Sequence, residues 1–377
     1  MIKTKDDKPE GNGLPSDRQS HKREIEGLKG QIQKGKGVDI GTMFVKCAYK
    51  EGDEIVFKSQ RNAFFEVEHT DFTKKILDNS KVKYIIKEDN LYVVGDEALQ
   101  FANMFNKDTR RLLSKGVISP TEKEALPIIE LLIKSVVGET AHKPAGNGWP
   151  SDRPSHKGEI VYFSVPGEPL DAEFNVLYHI KIVEGFLKTL GYTPKPINEG
   201  HAIILSELAE EDFTGIGLSF GGGMVNVCLS FMSVPIFKFS VAKSGDWIDQ
   251  QVAMAVDETA SRVSAIKESS LDLSKEGDLS EIESALSIYY NHLIEYVIEN
   301  IKQEFAKARR LPRIANPISI ILSGGTSLPK GFSGRFKQIL DRLKLPIPVA
   351  LVRMASQPLR SVAKGALIAA SADESKK

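Results

Sequence analysis

Apolar positions along the chain fall into short, near-continuous runs that read as strands and longer runs of 3.6-residue period that read as helices. Residues 37–49 (GVDIGTMFVKCAY) predict a strand, a tight glycine turn and a returning strand, and 54–58 continue the meander. Residues 71–78, 97–106 and 121–137 predict helices, the last with Pro120 just ahead of its first turn. Residues 160–165 (IVYFSV) read as a buried strand that stops at Pro166-Gly167. A helix over 171–190 would carry Phe174, Leu177, Tyr178, Val183, Phe186 and Leu187 near one face. The pattern then starts again. Residues 215–229 (GIGLSFGGGMVNVCL) repeat strand, glycine turn, strand; 232–241 add a further strand pair, and 250–270 are mostly helix. A long amphipathic helix follows over 280–310, then a buried strand at 318–322 running into Ser323-Gly324-Gly325-Thr326. A helix from about Gly331 and an apolar helix over 361–370 close the chain. Two α/β halves result, each opened by a strand–glycine turn–strand unit.

The chain has 377 residues, enough for two domains without disulfide or metal staples. Its 50 Lys+Arg balance 50 Asp+Glu. That balance argues against a general nucleic-acid binder, which needs many phosphate-neutralising cations, and it favours self-association. Cys47 and Cys228 lie in apolar strand runs, so they read as buried thiols of a reducing compartment. The N-terminus has no apolar stretch of the signal-peptide kind. The apolar run 126–137 is broken by Glu130 and Lys134 and falls short of the roughly 20 residues a spanning helix needs. A cytoplasmic protein without membrane insertion is expected.

Residues 8–25 (KPEGNGLPSDRQSHKREI) recur at 143–160 (KPAGNGWPSDRPSHKGEI), with 14 of 18 positions identical. Both copies are turn-rich and lack periodicity, so they read as a duplicated flexible segment, with a docking loop as the alternative. His21 and His156 have no accompanying carboxylate or Cys cluster that would make them a metal pair.

Three glycine turns, each directly after an apolar strand, carry the chemistry: Asp39-Ile40-Gly41-Thr42, Gly221-Gly222-Gly223 and Ser323-Gly324-Gly325-Thr326. Glycine lets consecutive N–H groups point into one concavity with no side chain in the way, a shape suited to phosphate oxygens. One such turn is usually only a hairpin. Three in this order, at the start of each half and again late in the second, point to a phosphate ligand.

These turns resemble the motifs of the actin, heat-shock chaperone and sugar-kinase ATPase superfamily, and within it the prokaryotic actin-like proteins of the MreB, MamK and ParM kind. Gly37-Val38-Asp39-Ile40-Gly41-Thr42 matches the first phosphate motif, Gly221-Gly222-Gly223 the second, and Leu322-Ser323-Gly324-Gly325-Thr326 the adenosine motif. Val94-Gly95-Asp96-Glu97-Ala98, Arg110-Arg111 with Gly116-Val117-Ile118, Asn198-Glu199-Gly200, Ser244-Gly245-Asp246-Trp247-Ile248-Asp249, Ala265-Ile266-Lys267-Glu268 and Val362-Ala363-Lys364-Gly365-Ala366 fit in order between and after them. The resemblance covers about residues 37–370. It implies an α/β, actin-like two-domain fold, each half a mixed sheet flanked by helices, with nucleotide in the cleft between them. In that scheme residues 1–36 are a disordered polar segment, and 37–166 form domain I, with a small insertion at about 59–118 and completion by 350–370. Residues 167–349 form domain II, with an insertion at about 247–278, and 371–377 are a tail.

The resemblance also implies roles. Asp39 would hold water ligands of Mg²⁺, against the ordinary reading of a turn-capping Asp. Lys46, seven residues on, has the spacing of the actin and ParM lysine that reaches the β- and γ-phosphates, against an exposed strand lysine. Gly41, Thr42, Gly221, Gly222 and Gly223 would cradle phosphates; Lys267, Glu268, Gly324, Gly325 and Thr326 would hold the adenosine side. The acid that orients the attacking water would be Asp171 or Glu173, with Glu168 a third in reach; acids are also simply favourable at a helix N-terminus. Ser219 stands where the family has an Asp, and Met224-Val225 replace two Thr. Losing one organising polar group costs roughly 10² to 10³ in rate, so slow hydrolysis is expected. The implied function is a Mg-ATP-binding, actin-like cytoskeletal ATPase that assembles head to tail with itself. The alternatives are a non-polymerising nucleotide-binding scaffold and a small-molecule kinase. No cargo or adaptor is indicated.

Overall fold

The strand–turn–strand units at residues 36 and 215 each seed a five-stranded sheet, and the two sheets share one connection pattern. The structure is a computed structural model that describes residues 35–82, 84–105, 109–118, 125–138, 158–173, 176–308, 314 and 316–376. Both copies of the repeat lie outside these residues except for 158–160, as do residues 1–34 and the expected helical start at 121–124.

In chain order, β1 (Lys36–Ile40), β2 (Phe44–Glu51) and β3 (Glu54–Arg61) form an antiparallel meander. β4 (Phe64–Glu68), α1 (Asp71–Asn79), β5 (Tyr84–Lys87), β6 (Asn90–Val94) and α2 (Asp96–Met104) build a small sheet of order β4-β6-β5 with two helices. The hairpin β7 (Leu113–Ser114) and β8 (Val117–Ile118) leads to α3 (Ala125–Val137). Then come β9 (Ile160–Val165), α4 (Val176–Thr189), β10 (Thr193–Asn198) and α5 (Glu199–Glu207). The second meander is β11 (Gly215–Phe220), β12 (Val225–Phe231) and β13 (Val234–Val241), followed by α6 (Gly245–Ala255), α7 (Ala260–Ser269) and α8 (Glu281–Lys307). β14 (Ile318–Ser323), α9 (Phe332–Leu343), β15 (Val349–Met354) and α10 (Ser361–Glu374) complete it. The sheet orders are β10-β9-β1-β2-β3 and β13-β12-β11-β14-β15, so β1 corresponds to β11, β9 to β14 and β10 to β15.

Several boundaries differ from the sequence expectation, each for a local reason. The helix expected from 171 begins at Val176. Residues 167–171 are instead zipped to β13: Leu170 N–H donates to Ser240 O at 2.9 Å and Ser240 N–H to Glu168 O at 2.9 Å. The strand pair expected at 232–241 is one strand, Val234–Val241, because Met232 and Ser233 take positive φ and make the turn. Residues 250–270 are two helices with a break at 256–259. α10 runs four residues beyond the expected 370, since Glu374 accepts from Ile160 N–H (2.6 Å) and Asp373 from Tyr162 OH (2.7 Å).

The expected division at 166/167 does not follow the sheets. β10 pairs in parallel with β9, and Val183 and Leu187 of α4 are buried in the first core, so the first half runs to Asn198. β10 carries Pro194 and Pro196, which a sheet tolerates at an edge, and an edge is where it lies. Residues 350–354, part of the stretch 350–370 expected to complete the first half, lie in β15 at the edge of the second sheet.

The two sheets back onto α5 and α10, which pack against each other at very short range. A Cβ on Gly365 would fall 1.7 Å from Ala202 O. Gly37 of β1 meets α10 and Gly217 of β11 meets α5 in the same way, with Cβ positions 2.1 Å from Ala363 O and 2.2 Å from Gly200 O. Only glycine allows this contact. Each half has its own core; the second is centred on Tyr290, Phe220, Phe332 and Phe336, with Phe220 and Phe332 edge to face at 5.0 Å. Cys47 in β2 and Cys228 in β12 are fully buried, and burial pushes both thiols up to about 12.

Candidate functional site

The three glycine turns meet at one cavity of about 690 Å³ between the sheets. The first two are built alike. Gly41 N–H donates to Phe44 O at 3.0 Å, and Gly221 N–H donates to Met224 O at 2.9 Å. Each closes a two-residue tip, Thr42-Met43 and Gly222-Gly223. Among the described residues no protein acceptor receives the N–H groups of these four tip residues. The tips press together: a Cβ on Gly223 would lie 2.6 Å from Thr42 Oγ1, and one on Gly222 2.9 Å from Met43 Cγ.

The third turn supports the second. Gly324 has φ of 97°, and a Cβ there would strike Phe220 O at 2.2 Å. Thr326 Oγ1 and Ser244 Oγ donate to Gly221 O at 2.7 and 2.5 Å, which fixes that carbonyl. Gly325 and Thr326 also line the cavity, and Tyr290 OH donates to Thr326 O at 3.1 Å.

Asp39, next to last in β1, faces Lys46 across the β1–β2 ladder, with Lys46 Nζ 3.3 Å from Asp39 Oδ2. Ser164 of β9 donates to Asp39 Oδ1 at 3.2 Å while accepting from Ile40 N–H at 2.9 Å, so the carboxylate is oriented from below. At the matching place in the second sheet, Ser219 faces Asn226. Both side chains hydrogen-bond Glu199, the first residue of α5. Burial, and then the negative charge of Asp39, push Glu199 up to about 7 against those hydrogen bonds. Asn226 Oδ1 also accepts from Gly167 N–H at 2.9 Å.

Lys267, on α7, lines the cavity but is buried, and its Nζ donates to Asp249 Oδ2 (2.7 Å) and Gly245 O (3.2 Å). Burial raises Asp249 in spite of that partner. Lys267 therefore fastens α7 to α6, and Glu268 beside it is exposed at the cavity wall.

The structure brings Asp39, Lys46 and the residues of all three turns together. It does not bring in Asp171 or Glu173. Asp171 accepts from Ala242 N–H (2.7 Å) and Tyr296 OH (3.2 Å), and Glu173 is exposed; neither they nor Glu168 line the cavity. Residues 167–171 follow β13, which carries these acids away from the turns. Glu199 does line the cavity, although the sequence attached no role to it; its signal was the Asn198-Glu199-Gly200 triplet.

The donor set fits a phosphate ligand. The tips expose N–H groups, two of them at glycines where a Cβ would not fit, and Lys46 adds a cation. Among the described residues no group of three His, Cys, Asp or Glu side chains is arranged to hold a metal ion. Two carboxylates, Asp39 and Glu199, suit a hard cation that keeps most of its waters.

The chain is similar to the protomer of a MamK double-helical filament, at 17% identity and a TM-score of 0.66 over 90% of this chain and 98% of that one. It is similar to MreB5 of Spiroplasma citri bound to AMPPNP, at 16% identity and a TM-score of 0.62 over 91% and 98%. The ADP-bound form of that MreB5 gives 16% and 0.61 over 92% and 99%. A comparison with curated protein sequences finds no match. The fold is that of the prokaryotic actin-like proteins. The volactin family model matches residues 35–370, nearly the whole chain from β1 through most of α10, and the chain belongs to that family.

Proposed function

We propose that this protein is a nucleotide-dependent, self-assembling actin-like ATPase. The observation that carries the reading is the meeting of two like-built tips, with their N–H groups free and Asp39, Lys46 and Glu199 around them, at one cavity. Thr42, Met43, Gly222 and Gly223 would donate to phosphate oxygens, and Lys46 would neutralise them. Asp39 and Glu199 would hold the water shell of Mg²⁺, which supplies charge neutralisation at the phosphates. The wall of Lys267, Glu268, Gly324, Gly325 and Thr326 would take the nucleoside, with Lys267 as a strut. Glu199 is the carboxylate best placed to orient a water; Asp171 would steady the crossover and Glu173 stay outside. We assign residues 36–198 with 361–374 to one half and 199–354 to the other.

The relatives support the assembly part: one is described as a filament, and others carry AMPPNP or ADP. Open filaments arise from a heterologous interface whose rotation does not close. Closure of the halves on nucleotide would favour the polymer. The test is right-angle light scattering against protein concentration with and without Mg-ATP. A critical concentration that falls with ATP is expected. Assembly indifferent to nucleotide would turn the reading towards a scaffold, and ATP consumption on adding a small acceptor towards a kinase.

A further inference from the structure

Arg111 lies just before β7, on a segment anchored in the first core by Leu112, Leu113 and Ile118. Asp246 is in the first turn of α6, whose Ile248 and Val252 are buried in the second core. Arg111 Nη1 donates to both carboxylate oxygens of Asp246, at 3.1 and 3.0 Å. An ion pair thus joins the two halves across the cleft.

Further contacts lie at the same place. Gly116 N–H donates to Thr42 Oγ1 at 3.1 Å, and the Met224 side chain fills the space over Gly116. Asp246 N–H donates to Gly222 O at 2.8 Å. The segment bearing Arg111 therefore touches both glycine tips.

We propose that Arg111 and Asp246 form a latch that holds the two halves closed over the cavity. The side chains are 42% and 32% exposed, so the pair is screened by water and by salt. A pair of this kind shifts a two-state equilibrium by roughly two- to fivefold, strong enough to bias closure and weak enough to be overridden. Its position explains the geometry: an acid next to an anion cradle would repel the anion, and Arg111 cancels that charge when the halves are shut. This last point rests on the nucleotide reading; the latch itself does not.

The test uses the full chain without nucleotide. Gln100 and Ser261 are exposed, one on each half, and the two native cysteines are buried, so Gln100→Cys and Ser261→Cys accept spin labels selectively. At low salt, Arg111→Glu is expected to lengthen the distance between labels, and Arg111→Glu with Asp246→Arg to restore it. About 0.5 M salt should lengthen the wild-type distance in the same sense. An unchanged distance in Arg111→Glu overturns the latch, as does an opening that the charge swap fails to reverse. If Arg111→Glu does not fold, Arg111→Gln gives the same reading. Absence of ATP binding by wild type would sink the nucleotide reading while leaving these distances to decide the latch.

Discussion

The two halves place their charges differently on the same framework. In the first, the strand before the glycine turn carries Asp39, paired across the ladder with Lys46, and Ser361 opens the corresponding helix α10. In the second, the strand carries Ser219 opposite Asn226, and the acid has moved to the helix, where Glu199 opens α5. Asp39 from the first half and Glu199 from the second both line the cavity. A neutral strand position in the second half is therefore no bare loss of charge, because Ser219 and Asn226 bind the acid that the helix brings. Two carboxylates on facing strands would need a counter-charge on each side; Lys46 serves Asp39, and no lysine stands opposite Ser219.

The largest effect that would separate the halves is at Lys267, whose buried pair with Asp249 belongs to the second half. Lys267→Ala should lower unfolding stability by about 3–5 kcal/mol, because it leaves Asp249 buried and uncompensated. Urea denaturation checks this, and Lys267→Met with Asp249→Leu should recover most of the loss. Next come the matched glycines. Gly37→Ala and Gly217→Ala should each cost about 1–3 kcal/mol by forcing α10 or α5 off its sheet. Similar midpoint shifts would sharpen the equivalence of the halves, and a shift in one alone would break it.

Ser219→Asp comes third. The family pattern suggested that restoring an acid would raise turnover. The opposite sign is expected, because the new carboxylate would face Glu199, whose proton is already held by burial and by the charge of Asp39. ATP turnover should fall by about tenfold, and adding Glu199→Gln should relieve part of the fall. The smallest effect is on pH dependence. Glu199 holds its proton more tightly folded than unfolded, so between about 4.5 and about 7 the native state binds more protons. Stability must then decrease as pH rises through that window. Glu199→Gln should flatten that slope in thermal melts, and an unchanged slope would mean another group carries it.

Some of this was legible in the residues because it is local. A strand, a glycine tip and a returning strand are set by near neighbours, so Asp39 and Lys46, seven apart on a hairpin, could be paired on paper. Ser280 and Glu283 likewise form the capping box that starts α8. Other features depend on where the chain goes next. Asp171 and Glu173 follow a Pro-Gly stop and look like helix-opening acids, yet hydrogen bonding to β13 draws that segment aside. The small sheet β4-β6-β5 and the edge strand β10 gave weak signals, the latter because its two prolines read as loop.

By itself the sequence determined the two strand–turn–strand units, their order, the three glycine tips and the buried thiols, since each follows from side-chain size, polarity and spacing over a few residues. Tertiary structure decided which acid reaches the cavity, that Lys267 is a strut fixed by Asp249, that the first half extends to Asn198, and that Arg111 meets Asp246. Those facts join residues far apart in the chain, and only the packing of α5 and α10 between the two sheets, through glycines that admit no side chain, brings the halves into register.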